Sequence, residues 1–189
     1  MCNRINIKRI VLFYSRSPKS DYFQFMIRQI KTSDIEQITK IYNGYIADSL
    51  ITFEEELIDS SEMRRRIKII EGKEFPFIVW EEEGNVIGYA YAGTFRERNA
   101  YRFTVESSIY LDPKYFGKGI GKKLYNSLIS NCKEKGYHSM IGVITLPNEI
   151  SVRLHESLGF KKVGHLTESG FKFGKWADVG FWELLLKYV

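Results

Sequence analysis

The sequence predicts a single α/β domain built around a mixed, mostly antiparallel central sheet flanked by helices. Three observations carry that prediction. Apolar spacing switches between helical and strand periods in the order β-α-α-β-β-β-α-β-α-β-β. A glycine-rich loop leads from a strand closed by Asp112-Pro113 into an amphipathic helix. The chain has 189 residues, 44% apolar and 15% aromatic, enough for one sizeable core.

Residues 26–30 read as a short strand. Ser33 and Glu36 have the spacing of a capping box, and Ile35, Ile38, Ile41, Tyr42 and Tyr45 follow at helical spacing. A second helix is expected over about 60–70, with Met63, Ile67 and Ile70 on one face; Arg64, Arg65 and Arg66 read as its solvated side. Apolar runs at 75–80 and 86–92 enclose Glu82-Glu83-Gly84-Asn85, a hairpin turn. Residues 102–111 form the next strand. The glycine-rich stretch 117–121 then opens a helix with Ile120, Leu124 and Leu128 aligned, ended by Gly136. Residues 139–146 are a buried strand, and 148–158 a helix with Gly159 at its boundary. Two strands close the chain, around 161–168 and 179–187, with a turn-rich segment between them.

Charge separates an N-terminal stretch from the rest. Residues 1–25 hold five basic side chains against one acid, whereas 26–189 hold 23 basic and 22 acidic. The body is nearly neutral, which gives nucleic-acid binding no electrostatic support there. Residues 1–25 are read as an extension, either a mis-assigned upstream stretch with Met26 as the natural start or a real basic, disordered tail, and 26–189 as the domain. Cys2 and Cys132 stand far apart with no CxxC or Cys/His cluster, so neither a disulfide framework nor a metal site is expected. No apolar run nears the roughly 20 residues of a membrane span. A cytoplasmic protein with no membrane partner is expected.

The chemistry concentrates around the glycine-rich loop. Gly117, Gly119 and Gly121 leave backbone N–H groups unobstructed at a helix N-terminus, where the helix dipole favours a pyrophosphate; Lys118, Lys122 and Lys123 add charge. An ordinary turn before an amphipathic helix fits the same residues. The spacing is neither GxxxxGK[ST] nor GxGxxG.

Phe116-Gly117-Lys118-Gly119-Ile120-Gly121 resembles the acyl-CoA loop of the GNAT acetyltransferase superfamily, Q/R-x-x-G-x-G/A, with Phe116 where Gln or Arg is usual. TFEEE (52–56), YAGTFRERNAYRFTVESSIYL (91–111), VITLPNEISVRLHESLGF (143–160) and GFKFGKWADVGFWEL (170–184) are similar, in this order, to phosphinothricin acetyltransferases. The resemblance implies a GNAT-like fold and an N-acetyltransferase using acetyl-CoA as co-substrate. Its acceptor would be the amine of a small amino-acid-like molecule of the phosphinothricin, methionine sulfoximine or sulfone type, attacked directly in a ternary complex. It also implies a homodimer, by way of the aromatic late hairpin.

Each residue has a plainer reading beside the implied one. Glu106 is a solvent-facing strand residue or, by resemblance, the general base, for which burial must lift its pKa from about 4.3. Ser108, Ile109, Tyr110 and Leu111 are apolar core or line the pantetheine arm, with a strand amide polarising the thioester carbonyl. Asn148 is an N-cap, a CoA contact, or both. His155 stands where many GNAT enzymes carry a Tyr that protonates the departing thiolate; it is that acid or a hydrogen-bonded core His. Arg96, Arg98 and Arg102 flank Tyr101, and Lys172 and Trp176 lie in the late hairpin. A carboxylate-bearing acceptor needs a cation and an aromatic wall, so Phe53, Arg96, Arg98, Tyr101, Lys172 and Trp176 are the acceptor candidates, with surface charge the default for most. Cys132, at a core-facing helix position, is not read as a nucleophile. The alternatives are a protein N-terminus, lysine or polyamine as acceptor, or an acyl-CoA-binding module without turnover.

Overall fold

The computed structural model describes residues 11–13 and 25–186. The elements, in order, are β1 (Val11–Phe13), β2 (Phe25–Gln29), α1 (Ile35–Asp48), α2 (Ser60–Gly72), β3 (Phe77–Glu82), β4 (Asn85–Thr94), β5 (Thr104–Leu111), α3 (Ile120–Glu134), β6 (Ser139–Leu146), α4 (Glu149–Ser157), β7 (Lys161–Lys172) and β8 (Lys175–Leu185). They form one sheet in the order β1-β2-β3-β4-β5-β6-β8-β7. Every pairing is antiparallel except β5 with β6, which is the mixed sheet the sequence predicts. Within 1–25, only the short β1 and Phe25 are described; the rest of the expected extension lies outside the described residues. Phe25 already belongs to β2, where its ring stacks on Trp80 at 4.5 Å.

Alternation along the strands sends side chains to two cores. Trp80, Val105, Leu124, Tyr125, Leu128, Met140 and Trp182 pack beneath α3 and α4; Ile38, Ile46, Met63, Ile67, Val79 and Tyr89 pack beneath α1 and α2. Both faces of the sheet are covered, so β3 and β4 read as near-continuous apolar runs rather than alternating ones.

Two local expectations change. The entry to α1 is built by Asp34, not by Ser33 and Glu36: its carboxylate accepts from the Lys31 N–H at 2.7 Å and from both terminal nitrogens of Arg28. Arg28 also reaches Glu81, tying β2, β3 and this turn together. The second change is in the late segment, where strand pairing extends through the stretch expected to be turn-rich. β7 and β8 form one long hairpin around a two-residue turn, Phe173 (φ 52°) and Gly174 (φ 70°), the paired left-handed geometry of tight hairpins. An irregularity between Leu166 and Gly170 interrupts the register.

Candidate active site

β5 and β6 pair in parallel for only four residues, from Thr104↔Ser139 to Ser107↔Gly142. Beyond that point the strands diverge, and backbone that would join a continued ladder faces a cleft. Its narrow part is lined by Ser107, Ser108, Ile109 and Tyr110 of β5, by Val143, Ile144 and Thr145 of β6, and by Asn148, Ser151 and His155. Its wider part, about 250 Å³, continues along Ile109 and Leu111 to Phe116, Gly117, Gly119, Ile120, Gly121 and Lys122, with Tyr45 and Ile51 opposite. The cofactor-binding candidates of the sequence therefore lie along one continuous wall, with Lys118 the exception. Its ammonium sits over the Tyr115 ring at 4.7 Å, and Lys123 lies over Phe25.

Over the sheet face at the point where the pairing ends lies the ring of His155. A Cβ on Gly142 would stand 2.4 Å from His155 Nε2, so the imidazole occupies the space above the last paired residue. His155 is 4% exposed. Its Nδ1 donates to the Ser151 carbonyl at 2.8 Å, leaving Nε2 to accept from Tyr125 at 3.0 Å. Tyr125 in turn stands 2.6 Å from Ser107. Burial pushes the His155 pKa below its ordinary value, with the Ser151 bond opposing. The ring is thus neutral near pH 7 with both nitrogens engaged. The proton-donor role expected of it requires an imidazolium with a free N–H, and this arrangement supplies neither. The core-histidine reading fits the geometry.

The glycine loop suits a pyrophosphate. Gly117 (φ 76°) and Gly119 (φ 75°) adopt conformations that L side chains rarely hold, and a Cβ on either would point into open space. Gly119 is the N-cap of α3 and makes no side-chain cap bond; the first helical bond comes from Lys123 N–H. The amides of the first turn are left facing out with the helix dipole behind them. Asn148 caps α4, accepting from the Ser151 N–H at 3.1 Å, and also lines both parts of the cleft.

Glu106 lies on the opposite side of β5 from Val105 and Ser107. It is half-buried, and no hydrogen bond or ion pair holds its carboxylate among the described residues. Burial raises its pKa above the ordinary carboxylate value. Cys132 is buried, and desolvation pushes its thiol up to about 12, far from a reactive thiolate.

The acceptor candidates fall into two groups. Arg96, Arg98 and Tyr101 occupy the β4–β5 loop, where Phe95 meets Tyr101 edge-on at 5.8 Å and Arg96 lies over Phe95. Phe53, Lys172 and Trp176 meet the tip of the late hairpin. Trp176 is 61% exposed and packs on Phe171. Phe53 rests on Gly170, where a Cβ would fall 2.0 Å from its ring. Lys172 has no free ammonium for a substrate carboxylate: it is fully buried and donates to the carbonyls of Ile46, Ser49 and Thr52.

Several residues outside the sequence-derived set shape this wall. Arg66, read as solvated, folds inward to Glu54, which also accepts from Tyr42. Burial works against the Glu54 charge, but Arg66 and Tyr42 hold its carboxyl below the usual range. Burial lifts Tyr42 to about 12. Asn43 exchanges two hydrogen bonds with the backbone of Ile58. The 3.6-residue period marks Tyr42 and Arg66 only as helix positions, since their partners are loop residues distant in sequence.

Residues 27–180 match the family model for the acetyltransferase (GNAT) domain. The chain is 40% identical over 157 residues to the phosphinothricin N-acetyltransferase of Streptomyces viridochromogenes, covering 83% of this chain and 85% of that protein. It is 36% identical to the L-methionine sulfoximine/L-methionine sulfone acetyltransferase of Salmonella typhimurium, covering 85% and 94%. Among solved structures, a GNAT phosphinothricin acetyltransferase from Sinorhizobium meliloti, in complex with AcCoA, superposes with a TM-score of 0.83 at 41% identity, over 85% of this chain and 88% of that one. With family model, relatives and architecture in agreement, the chain belongs to the GNAT acetyltransferase family.

Proposed function

We propose that the protein transfers the acetyl group of acetyl-CoA to the amine of a small amino-acid-like acceptor of the phosphinothricin or methionine sulfoximine class. The observation that carries this reading is the parting of β5 and β6 beside the α3 glycine loop, with Glu106 one strand position from the opening. Acetyl-CoA is a substrate here, consumed at each turnover. The amides at Gly117 to Gly121 would hold its pyrophosphate, and the β6-facing backbone edge of Ser108 to Tyr110, beyond the last β5–β6 pair, would align its arm. The names of the relatives support the acceptor class.

In this reading Glu106 takes a proton from the acceptor ammonium, directly or through a water. Its burial-raised pKa brings it closer to neutrality and makes it a better base. The freed nitrogen attacks the thioester carbon, a β5 amide polarises the carbonyl, and the C–S bond breaks, the nitrogen's second proton passing to the departing thiolate or to water. A thiolate with a pKa near 8.5 leaves readily at neutral pH, so no dedicated acid is needed and His155 serves as a packed wall of the cleft over Gly142. Arg96 or Arg98 pairs with the acceptor carboxylate, with Tyr101, Phe53 and Trp176 as apolar walls. The exposed row of Phe171, Phe173 and Trp176 supports a homodimer through the late hairpin, which light scattering of the purified protein tests.

Thiol release from acetyl-CoA is to be measured with phosphinothricin, methionine sulfoximine, methionine sulfone, common amino acids, polyamines, a lysine peptide and a peptide with a free N-terminus. Turnover concentrated on the first three supports the proposal. Turnover confined to the peptides or polyamines overturns the acceptor class. No turnover, with acetyl-CoA still raising the melting temperature, points to a binding module.

A further inference from the structure

The segment joining α1 to α2 forms the outer wall of the cleft. Ile51 lines both its parts, and the ring of Phe53, two residues on, rests on Gly170. A connecting segment without secondary structure is ordinarily mobile, yet this one is bound at successive points. Asn43 holds Ile58, Tyr42 meets Thr52 and Glu54, and Arg66 reaches Glu54. Those contacts all come from α1 and α2. The remaining ones come from the far end of the chain.

Lys172 carries a fully buried ammonium with no carboxylate bonded to it. Its three protons match three acceptors: Ile46 O at 2.8 Å, Ser49 O at 2.9 Å and Thr52 O at 2.9 Å. Ile46 and Ser49 end α1, where the helix dipole favours a cation and the last carbonyls lack helical partners. Thr52 immediately precedes Phe53. Two residues before Lys172, on the same side of β7, Gly170 seats the Phe53 ring. The hairpin thus grips the wall by the backbone at 46, 49 and 52 and by the ring at 53.

From this geometry we infer that Lys172 is a positioning residue of the acceptor subsite: it fixes the 49–53 segment, which carries Ile51 of the cleft wall, so that Phe53 keeps its seat on Gly170. The ammonium touches no reacting atom and acts through the loop. This inference rests on the proposed reading of Phe53 as an acceptor wall, and it assigns the hairpin tip a part in choosing the acceptor.

Two variants reach the same ring by independent routes. Lys172→Met keeps the length of the side chain and removes all three donors. Gly170→Ala leaves Lys172 intact, and its backbone conformation is open to any residue, but its methyl group displaces the Phe53 ring. Steady-state kinetics on methionine sulfoximine, beside wild type and Phe53→Ala, should show the acceptor KM rising about 10- to 100-fold in all three variants, the range for a lost or displaced apolar pocket contact, with kcat less affected. The KM for acetyl-CoA should stay within about threefold in Phe53→Ala and Gly170→Ala, which leave the glycine loop, β5 and the Lys172 grip on the Ile51 segment in place. Amide hydrogen exchange at residues 49–58 should quicken in Lys172→Met. If Phe53→Ala raises the acceptor KM while Gly170→Ala and Lys172→Met leave it unchanged, the positioning role is overturned and the acceptor reading stands. If Phe53→Ala itself has no effect, both fall. Should Lys172→Met fail to fold, Gly170→Ala decides; an equal loss for both substrates in that variant overturns the proposal.

Discussion

Tyr125 donates its phenol proton to Nε2 of His155 across 3.0 Å, both side chains being buried. The Ser151 carbonyl, which can only accept, fixes the imidazole as the Nδ1–H tautomer and leaves Nε2 for that bond, while the ring packs over Gly142 and borders the narrow part of the cleft. Cleft lining and core packing therefore share one side chain.

Tyr125→Phe leaves His155 Nε2 buried without a donor. The expected cost is about 1–3 kcal/mol, the penalty of an orphaned polar group, read by urea denaturation at pH 8. The same histidine sets a pH dependence. Its folded pKa lies below its unfolded value near 6.5, so its contribution is complete above pH 6.5 and is lost as pH falls through the folded pKa. Wild-type stability should drop on acidification below pH 6.5, and His155→Phe should flatten that part of the profile.

Glu106→Gln should lower kcat about 10²- to 10⁴-fold, the range for losing a positioned base, while calorimetry finds acetyl-CoA affinity unchanged. Burial raises the Glu106 pKa, so its ionised form weighs against the fold; that stability is present at low pH and lost as pH rises through the folded pKa. The glutamine variant should accordingly melt higher than wild type at pH 8. In wild type, kcat/KM should fall on the acid side at a pH above that of an ordinary glutamate.

Gly119→Ala tests the loop. The added methyl meets no atom within 4 Å, so the strain comes from the positive φ alone, worth about 1 kcal/mol. Melting should drop by a few degrees, while the acetyl-CoA KM rises more than the acceptor KM.

Asp34→Asn removes the carboxylate that pairs with Arg28 and leaves that guanidinium facing Glu81 alone. Side-chain exposures of 10% and 4% make this a buried pair, and breaking such a pair costs about 3–5 kcal/mol. Chemical denaturation should register that loss with little change in the KM of folded enzyme.

The order of elements was legible because helices and strands bury apolar residues with different periods, and most of these elements are buried on one face or both. The exception shows the rule. β7 is exposed along nearly its whole length and carries Gly164 and Gly170, so no apolar alternation marks it and its second half reads as turn. The cleft wall was legible from the glycine loop and from the strings around Asn148 and Ser108, where function is written in consecutive residues. Lys172 was read as a ligand for a carboxylate because residue type alone says cation. Its true partners are carbonyls more than 100 positions away, and backbone acceptors leave no trace in composition. Arg66 and Gly142 were hidden for the same reason: one is defined by Glu54 on a loop, the other by a ring on α4.

The contact between Phe53 and Gly170 has a kinetic consequence. It closes a segment of well over a hundred residues, and long closures are entropically late events in folding. β2 to β4 with α1 and α2 can condense from near-neighbour contacts, and the α3 loop with β5 likewise, but the acceptor wall gains its seat only when the C-terminal hairpin docks. During refolding, acetyl-CoA binding should therefore return before acceptor selectivity does, and the lag between the two would measure how long the hairpin takes to find its place.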